Sequence, residues 1–426
     1  MVQALRLLAA RQPVLRVAVH EDPAGRLVFH EYTDALDRQR VDIDLDGQTD
    51  IDRALTDRVN EPPCPVITDH ALPWRVRIVS LSSGCRVELC TSHLVVDGNG
   101  LPRLLLLWLK TAEELHRRLG ADPDPEAVDG LCREQWQTEL HAPPEVVLAT
   151  QAAYRESLQW QHRFTPLIPR VFFGFARDAL RYKGHAPFRE AVPMESRRDA
   201  VLSLVLAPDA VQTLLAAARA HDVTLHALLL GCAMAAQQKA FALQPGQTYS
   251  FGSPVSLRNR VEPPIDMATL GTWVSDVEHH ITIEADGDPL RYARAVAADL
   301  QGLPESAFHT QHDVPGRLRL VSSSLVREIF LNDMDDCGRI GSGLSNLGRL
   351  DEATSYALGE EVSVARQGWT QSQAAFGPDF FLGVTTLGGV MTINLTYTEP
   401  LHSTEDAHRY LVAIRECLDA VSSRQP

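Results

Sequence analysis

The seven cysteines of this 426-residue chain are scattered, odd in number and without a Cys-x-x-Cys pair. That excludes a disulfide framework and a ribbon-type zinc site, and it fits thiols kept reduced in a cytoplasm. Long apolar runs are missing too. The two most apolar stretches, residues 104–109 and 227–236, are too short to span a bilayer and read as buried helices. The N-terminus shows no basic-then-apolar pattern of the secretory type. Positive charge is in deficit. The net charge of -15 sets nucleic acid aside as a partner, and any anionic substrate would need a local basic patch. No Gly-x-x-x-x-Gly-Lys phosphate cradle and no Gly-x-Ser-x-Gly elbow occurs, so a covalent serine mechanism is unsupported. What remains is an ordinary globular composition on a chain too long for one hydrophobic core, so two lobes are expected.

The segment from Cys85 to Gly98 carries the most information. Val87, Leu89, Thr91 and His93 alternate with Arg86, Glu88, Cys90 and Ser92, which predicts a strand over 85–91 ending at an imidazole. His93-Leu94-Val95-Val96-Asp97-Gly98 then turns the chain, and an apolar helix is predicted over 100–119 with Pro102 in its first turn. Neutral imidazole accepts a proton near neutral pH, which makes His93 a candidate general base. Asp97 either orients the ring or holds the turn, and Gly98 permits a positive φ or a close backbone approach. The pattern alone is short, and histidine is common at strand ends.

Four segments in order resemble the superfamily of CoA-dependent acyltransferases and peptide-synthetase condensation domains. The first is Ser92-His93-Leu94-Val95-Val96-Asp97-Gly98, similar to the family's His-His-x-x-x-Asp-Gly. The second is Gly252-Ser253-Pro254-Val255-Ser256-Leu257-Arg258 with Leu270-Gly271-Thr272-Trp273-Val274-Ser275 after it. The third is Leu344-Ser345-Asn346-Leu347-Gly348, like the Ser-Asn-Leu-Gly element of the alcohol- and polyketide-acylating branches. The fourth is a closing hairpin around Gly388-Gly389 with a last helix over 403–421. Arg11-Gln12-Pro13-Val14-Leu15-Arg16 is similar to the family's lead into its second strand. Two departures matter: Ser92 replaces the first histidine of the usual pair, and the resemblance sets in late. Family members usually have one more strand and a helix before this point, so either the start is shortened or the fold manages without that strand.

The resemblance implies an α/β fold with mixed sheets, in two chloramphenicol-acetyltransferase-like lobes with the active site in a tunnel between them. The N-terminal lobe would span 1–185 with connecting helices, and the C-terminal lobe 186–426. It implies catalysis by His93 with Asp97 and Gly98, an ion pair between Asp97 and Arg258, and substrate or oxyanion contacts from a turn at Ser345 and Asn346. No bound cofactor is expected. The donor would be acyl-CoA or a phosphopantetheine thioester on an acyl carrier protein, the acceptor a small-molecule alcohol or amine, and the protein a monomer. O-acylation of a lipophilic or polyketide-like alcohol fits the Ser-Asn-Leu-Gly element and the missing first histidine. The alternatives are a free-standing condensation enzyme joining carrier-bound substrates and a non-catalytic scaffold.

Elsewhere, alternation and turn residues predict strands over 14–20, 27–32, 74–80, 200–206, 248–254 and 272–283. Helices are predicted over 144–159, 169–182, 208–221, 224–242 with Thr224 as N-cap, and 289–303. Arg163 to Arg189 is either the basic patch or a solvated linker, and Phe172, Phe173 and Phe175 line a lipophilic pocket or pack as core. His279-His280 reads as a surface strand with its rings on opposite faces. His309 and His312 with Asp313 lack a third well-placed ligand, and Asn332 to Asp336 does not follow calcium-loop spacing, so no metal is expected.

Overall fold

The computed structural model describes residues 1–23, 27–32, 34, 41–45, 50–61, 72–82, 84–93, 95–142, 144–152, 155, 187–190, 192–303, 341–350, 354–374 and 380–424. It is a mixed α/β structure in two lobes. The Phe172–Phe175 cluster, the His309 and Asn332 segments and the basic stretch up to Lys183 lie outside the described residues.

The first lobe opens with helix α1 (Val2–Arg11), whose Leu5, Leu7 and Leu8 are buried, followed by a tight turn over Pro13–Arg16. Strand β1 (Val17–Glu21) therefore starts three residues later than the predicted strand. The Arg16 guanidinium holds the turn: it donates to the Ala10 carbonyl at 2.9 Å and pairs with Glu31 at 2.6 Å. β1 pairs antiparallel with β2 (Leu27–Glu31). A second sheet joins β3 (Val41–Asp44), β4 (Trp74–Leu81) and β5 (Gly84–Thr91), with β3 parallel to β4 and β5 antiparallel to it. Helix α2 (Ile51–Val59) lies between β3 and β4 in sequence. Helix α3 (Gly100–Leu119) has the predicted bounds and ends at Gly120 with φ of 86°. Its Leu104, Trp108, Ala112 and Leu115 form the core with Leu5, Leu8, Trp74 and Val76. Helices α4 (Pro125–Glu134) and α5 (Pro144–Thr150) follow, α5 being the described part of the helix predicted over 144–159.

The second lobe is built on a six-stranded sheet. Its strands are β6 (Arg198–Leu206), β7 (Thr248–Ser256), β8 (Val274–Thr282), β9 (Ser342–Leu350), β12 (Phe380–Leu387) and β13 (Val390–Glu399), in the order β6-β13-β12-β9-β7-β8. A small ribbon, β10 (Ser355–Ala357) with β11 (Glu361–Ser363), stands apart from it. Helices α6 (Pro208–Ala220), α7 (Leu225–Phe241), α8 (Pro289–Gly302) and α9 (Thr404–Ser422) pack against one face. α7 is apolar all round, as befits a helix covered on every side. Its N-cap Thr224 accepts from the Ala227 N–H at 3.1 Å, as expected. The β12–β13 hairpin closes on Gly388-Gly389, φ 57° and 86°, and two consecutive positive φ angles at a two-residue turn favour glycine. β8 begins at Val274, two residues later than expected, because Gly271 with φ of 138° still belongs to the preceding turn.

Candidate functional site

The predicted turn forms where β5 ends. The Ser92 N–H donates to the Pro73 carbonyl at 2.8 Å, and the Val95 N–H returns to the Ser92 carbonyl at 3.2 Å. His93 is exposed on this turn. Its carbonyl accepts from the Thr272 hydroxyl of the second lobe at 2.6 Å, while Val95 and Val96 are buried in the first lobe's core. The imidazole is thus carried on a backbone anchored to both lobes.

Asp97 is 1 % exposed and Arg258 fully buried. The Arg258 Nη1 donates to Asp97 Oδ2 at 2.5 Å, and Arg258 Nη2 donates to the Thr269 carbonyl at 2.9 Å. Asp97 Oδ2 also accepts from the Trp273 N–H at 2.9 Å, and Oδ1 from the Gly100 N–H at 2.8 Å. The Asp97 N–H donates to the Gly271 carbonyl at 3.1 Å. One carboxylate therefore fixes the start of α3, the Arg258 side chain and the strand leading into β8. The structure shows the ion pair that the resemblance implied.

Gly98 does not take a positive φ; of the two uses open to it, the structure shows the close approach. A Cβ there would stand 3.2 Å from Leu347 Cδ2 and 3.4 Å from the Trp369 ring. Gly100 is tighter, since its Cβ would come within 2.5 Å of Val96 Cγ2. Ser345 and Asn346 are not on a turn. They lie within β9, in register with Gly383 and Val384 of β12, because β9 continues as a parallel neighbour of β12 through a register shift. Asn346 Oδ1 accepts from the Gly348 N–H at 2.9 Å, and Ser345 is buried. The β9 residue brought against the Asp97-Gly98 turn is Leu347.

Two other segments bear on the sequence reading. Arg189, the described arginine of the basic stretch, pairs with Asp406 at 2.5 Å. Asp406 closes the capping box of α9 with Ser403. His279 is fully buried on β8, while His280 faces outward; β8 is the sheet edge, but α8 covers its inner face. His279 Nδ1 lies 3.2 Å from Asp299 Oδ2. Near it, His226 shares a 2.7 Å hydrogen bond with Ser253, and burial, with His279 adding to it, pushes the His226 imidazole down to about 4.

Sequence reasoning missed the segment around Trp369. Trp369 packs edge-on against Phe381, its carbonyl accepts from Asn394 Nδ2 at 2.9 Å, and Gln367 Nε2 donates to the Pro102 carbonyl of α3 at 2.8 Å. It also missed Asp199. That buried carboxylate accepts from the Ser372 hydroxyl at 2.6 Å and from the Gln373 and Ala374 N–H groups at 3.0 and 3.1 Å. No local signal marked either residue: Asn394 stands among the threonines of β13, and Asp199 follows Arg198 at the start of β6.

The fold is similar to that of known proteins. The family model described as "Phthiocerol/phthiodiolone dimycocerosyl transferase C-terminus" matches residues 195–303. The first condensation domain of the CDA synthetase superposes with a TM-score of 0.61 at 15 % identity, covering 100 % of this chain and 88 % of that one. This chain has the condensation-domain fold. Polyketide synthase associated protein 5 from Mycobacterium tuberculosis shares it with a TM-score of 0.61 at 15 % identity, over 100 % of this chain and 90 % of that one. The epimerization domain from the third module of tyrocidine synthetase B shares it with a TM-score of 0.61 at 13 % identity, over 99 % and 88 %. No curated protein shows a significant sequence match. Among the described residues, no helix of the condensation-domain fold here is long and apolar enough to cross a membrane.

Proposed function

We propose that this protein is an acyltransferase that moves an acyl group from a thioester to the hydroxyl of a lipophilic or polyketide-like acceptor, with His93 as general base. The observation that carries the reading is the division of labour inside the motif. Asp97 is buried and consumed by Arg258, Trp273 and Gly100, so it holds the turn, while the adjoining His93 is exposed on a backbone pinned from both lobes. The lobes divide near residue 185, and substrates meet in a tunnel between them.

In the reaction, the neutral His93 imidazole takes the acceptor's hydroxyl proton as the oxygen attacks the thioester carbonyl carbon. The tetrahedral oxyanion is met by backbone N–H groups near Gly98. Collapse breaks the C–S bond, and the thiolate leaves with the proton returned by His93. Holding both substrates at one point supplies much of the acceleration by orientation. The donor is acyl-CoA or an acyl carrier protein's phosphopantetheine thioester. The family-model match to a dimycocerosyl transferase C-terminus and the fold shared with a polyketide synthase associated protein support a transfer reaction in polyketide chemistry.

The test is thiol release and intact-mass analysis of wild type and His93→Ala with a panel of acyl-CoAs and acyl carrier proteins, plus alcohols and amines. Thiol release that requires both an alcohol and His93 is expected. Turnover with amines and carrier-bound donors alone would replace ester formation with amide condensation. Equal thiol release by the two proteins would remove His93 from the chemistry.

A further inference from the structure

The two faces of the first lobe's sheet differ sharply. Trp74 and Val76 of β4 and Leu89 of β5 point into the apolar core under α1 and α3. The opposite face carries Arg75 and Arg77 on β4 and Arg86, Glu88 and Cys90 on β5, with Arg75 opposite Cys90 and Arg77 opposite Glu88. The end of α2 lies over this face and adds Arg58 and Glu61. Arg58 reaches Glu61 at 2.5 Å and Glu88 at 2.7 Å. Arg75 and Arg77 reach Glu61 at 2.9 and 3.2 Å, and Arg86 reaches Glu88 at 2.7 Å. Among the described residues four guanidiniums thus share two carboxylates, with an exposed Asp42 opposite Arg77 at the rim.

The pairing is incomplete. The Arg58 side chain is 9 % exposed, yet among the described residues its Nη2 has no hydrogen-bond partner. Nor do Nε and Nη2 of Arg75, the latter lying within ion-pair distance of Glu61 but out of line with it. Burial opposes ionisation of Glu61, but the Arg58 hydrogen bond and the charges of Arg58, Arg75 and Arg77 still hold its carboxyl below the usual range. Buried guanidinium N–H groups without an acceptor are costly, and a planar fork of such donors matches a carboxylate or phosphate.

The cluster also lies on the side turned toward the second lobe. α2, which covers it, caps the outer edge of β6: the Thr56 hydroxyl accepts from the Val201 N–H at 2.9 Å, and Asn60 exchanges two hydrogen bonds with the Asp199 backbone at 2.6 and 2.9 Å. Cys90, the strand partner of Arg75, precedes His93 by three residues, which sets the near edge of the cluster on the order of 10 Å from the His93 backbone.

We infer that the Arg58–Arg75–Arg77 cluster binds an oxyanion of the substrate, a carboxylate or a phosphate, held away from the atom that reacts at His93. This rests on the acyl-transfer reading for the identity of the ligand as substrate. On a chain with a net charge of -15, it is a local cationic cluster suited to an anionic group.

The test is calorimetric titration of the full chain with two matched pairs, octanoate against octanamide and phosphopantetheine against pantetheine. Each is run on wild type, Arg75→Gln and Arg77→Gln, with thermal melting to confirm that the variants fold. In wild type the charged member of one pair is expected to bind at least roughly tenfold tighter than its neutral partner, the margin falling to about twofold in a folded variant. A preference in the first pair assigns a carboxylate, in the second a phosphate. No charge preference in either pair, or a preference that survives both substitutions, would overturn the assignment. Calorimetry reads binding without turnover, so a retained preference in a protein that transfers no acyl group would support the oxyanion site while removing the chemistry assigned to His93.

Discussion

At the scale of single residues, Asp97 explains why the motif turn is rigid. It accepts from Arg258, the Trp273 N–H and the Gly100 N–H, and it is 1 % exposed. A buried pair of this kind is weak evidence for stability as such, but removing one partner leaves the other charge stranded, at a cost of about 3–5 kcal/mol. Asp97→Ala is therefore expected to unfold at distinctly lower denaturant concentration than wild type, and Arg258→Ala to do likewise. An Asp97→Ala protein that melts like wild type and has lost only turnover would show that Asp97 acts in the chemistry. The sequence carried this pair only through the resemblance: Asp97 and Arg258 are 161 positions apart, and no local pattern links them. Ser345 and Asn346 were readable as a motif but not as a strand, because a Ser-Asn-Leu-Gly run carries turn-forming residues while β12 supplies the pairing that extends it.

At the scale of elements, the close packing of α7 on α8 depends on a glycine. A Cβ at Gly231 of α7 would lie 2.4 Å from the Pro289 carbonyl oxygen and 2.6 Å from the Ala293 nitrogen of α8. Both are backbone atoms, so the helices themselves must separate, and Gly231→Ala is expected to cost about 1–3 kcal/mol in a denaturant melt. Unchanged stability would mean that α7 and α8 slide freely. The same region gives a pH dependence. His226 on α7, bonded to Ser253 of β7, is held down to about 4 against an ordinary value of 6.5. Between those values the unfolded chain takes up a proton that the folded one refuses, so stability is fully present above pH 6.5 and falls as pH drops toward 4. Melting temperature against pH is expected to show that fall, and His226→Gln to reduce its slope in the same window. A variant with an undiminished slope would assign the acid sensitivity to another group.

Whole elements were legible where period and punctuation agreed. α3, α7, α8, α9 and the β12–β13 hairpin lie within two residues of expectation, since each is bounded by a cap, a proline or a glycine turn. α1 and α2 were missed, since only strands are predicted ahead of residue 100. Yet α1 carries Ala4, Leu5, Leu7 and Leu8 at helical spacing, and α2 starts at Asp50, whose carboxylate accepts from Asp52 and Arg53 N–H groups.

At the scale of the molecule, the two lobes are joined by polar links that no local pattern reveals. Thr272 holds the His93 carbonyl, Gln367 holds the Pro102 carbonyl at the start of α3, and Asn60 after α2 is bonded to Asp199 on β6. Asp199 in turn gathers Ser372, Gln373 and Ala374, so a single carboxylate ties the Trp369 segment to the sheet edge that α2 caps. These links place an exposed imidazole where the lobes meet, and the condensation-domain fold follows from them as much as from either core. The most direct measurement is a paired one: acyl-transfer rate and melting temperature for His93→Ala and Asp97→Ala alongside wild type, with the donor that wild type consumes. The account expects His93→Ala to melt like wild type while losing most of its rate, by roughly a hundredfold or more, and Asp97→Ala to lose both. A His93→Ala protein that turns over at the wild-type rate would contradict the account at its centre.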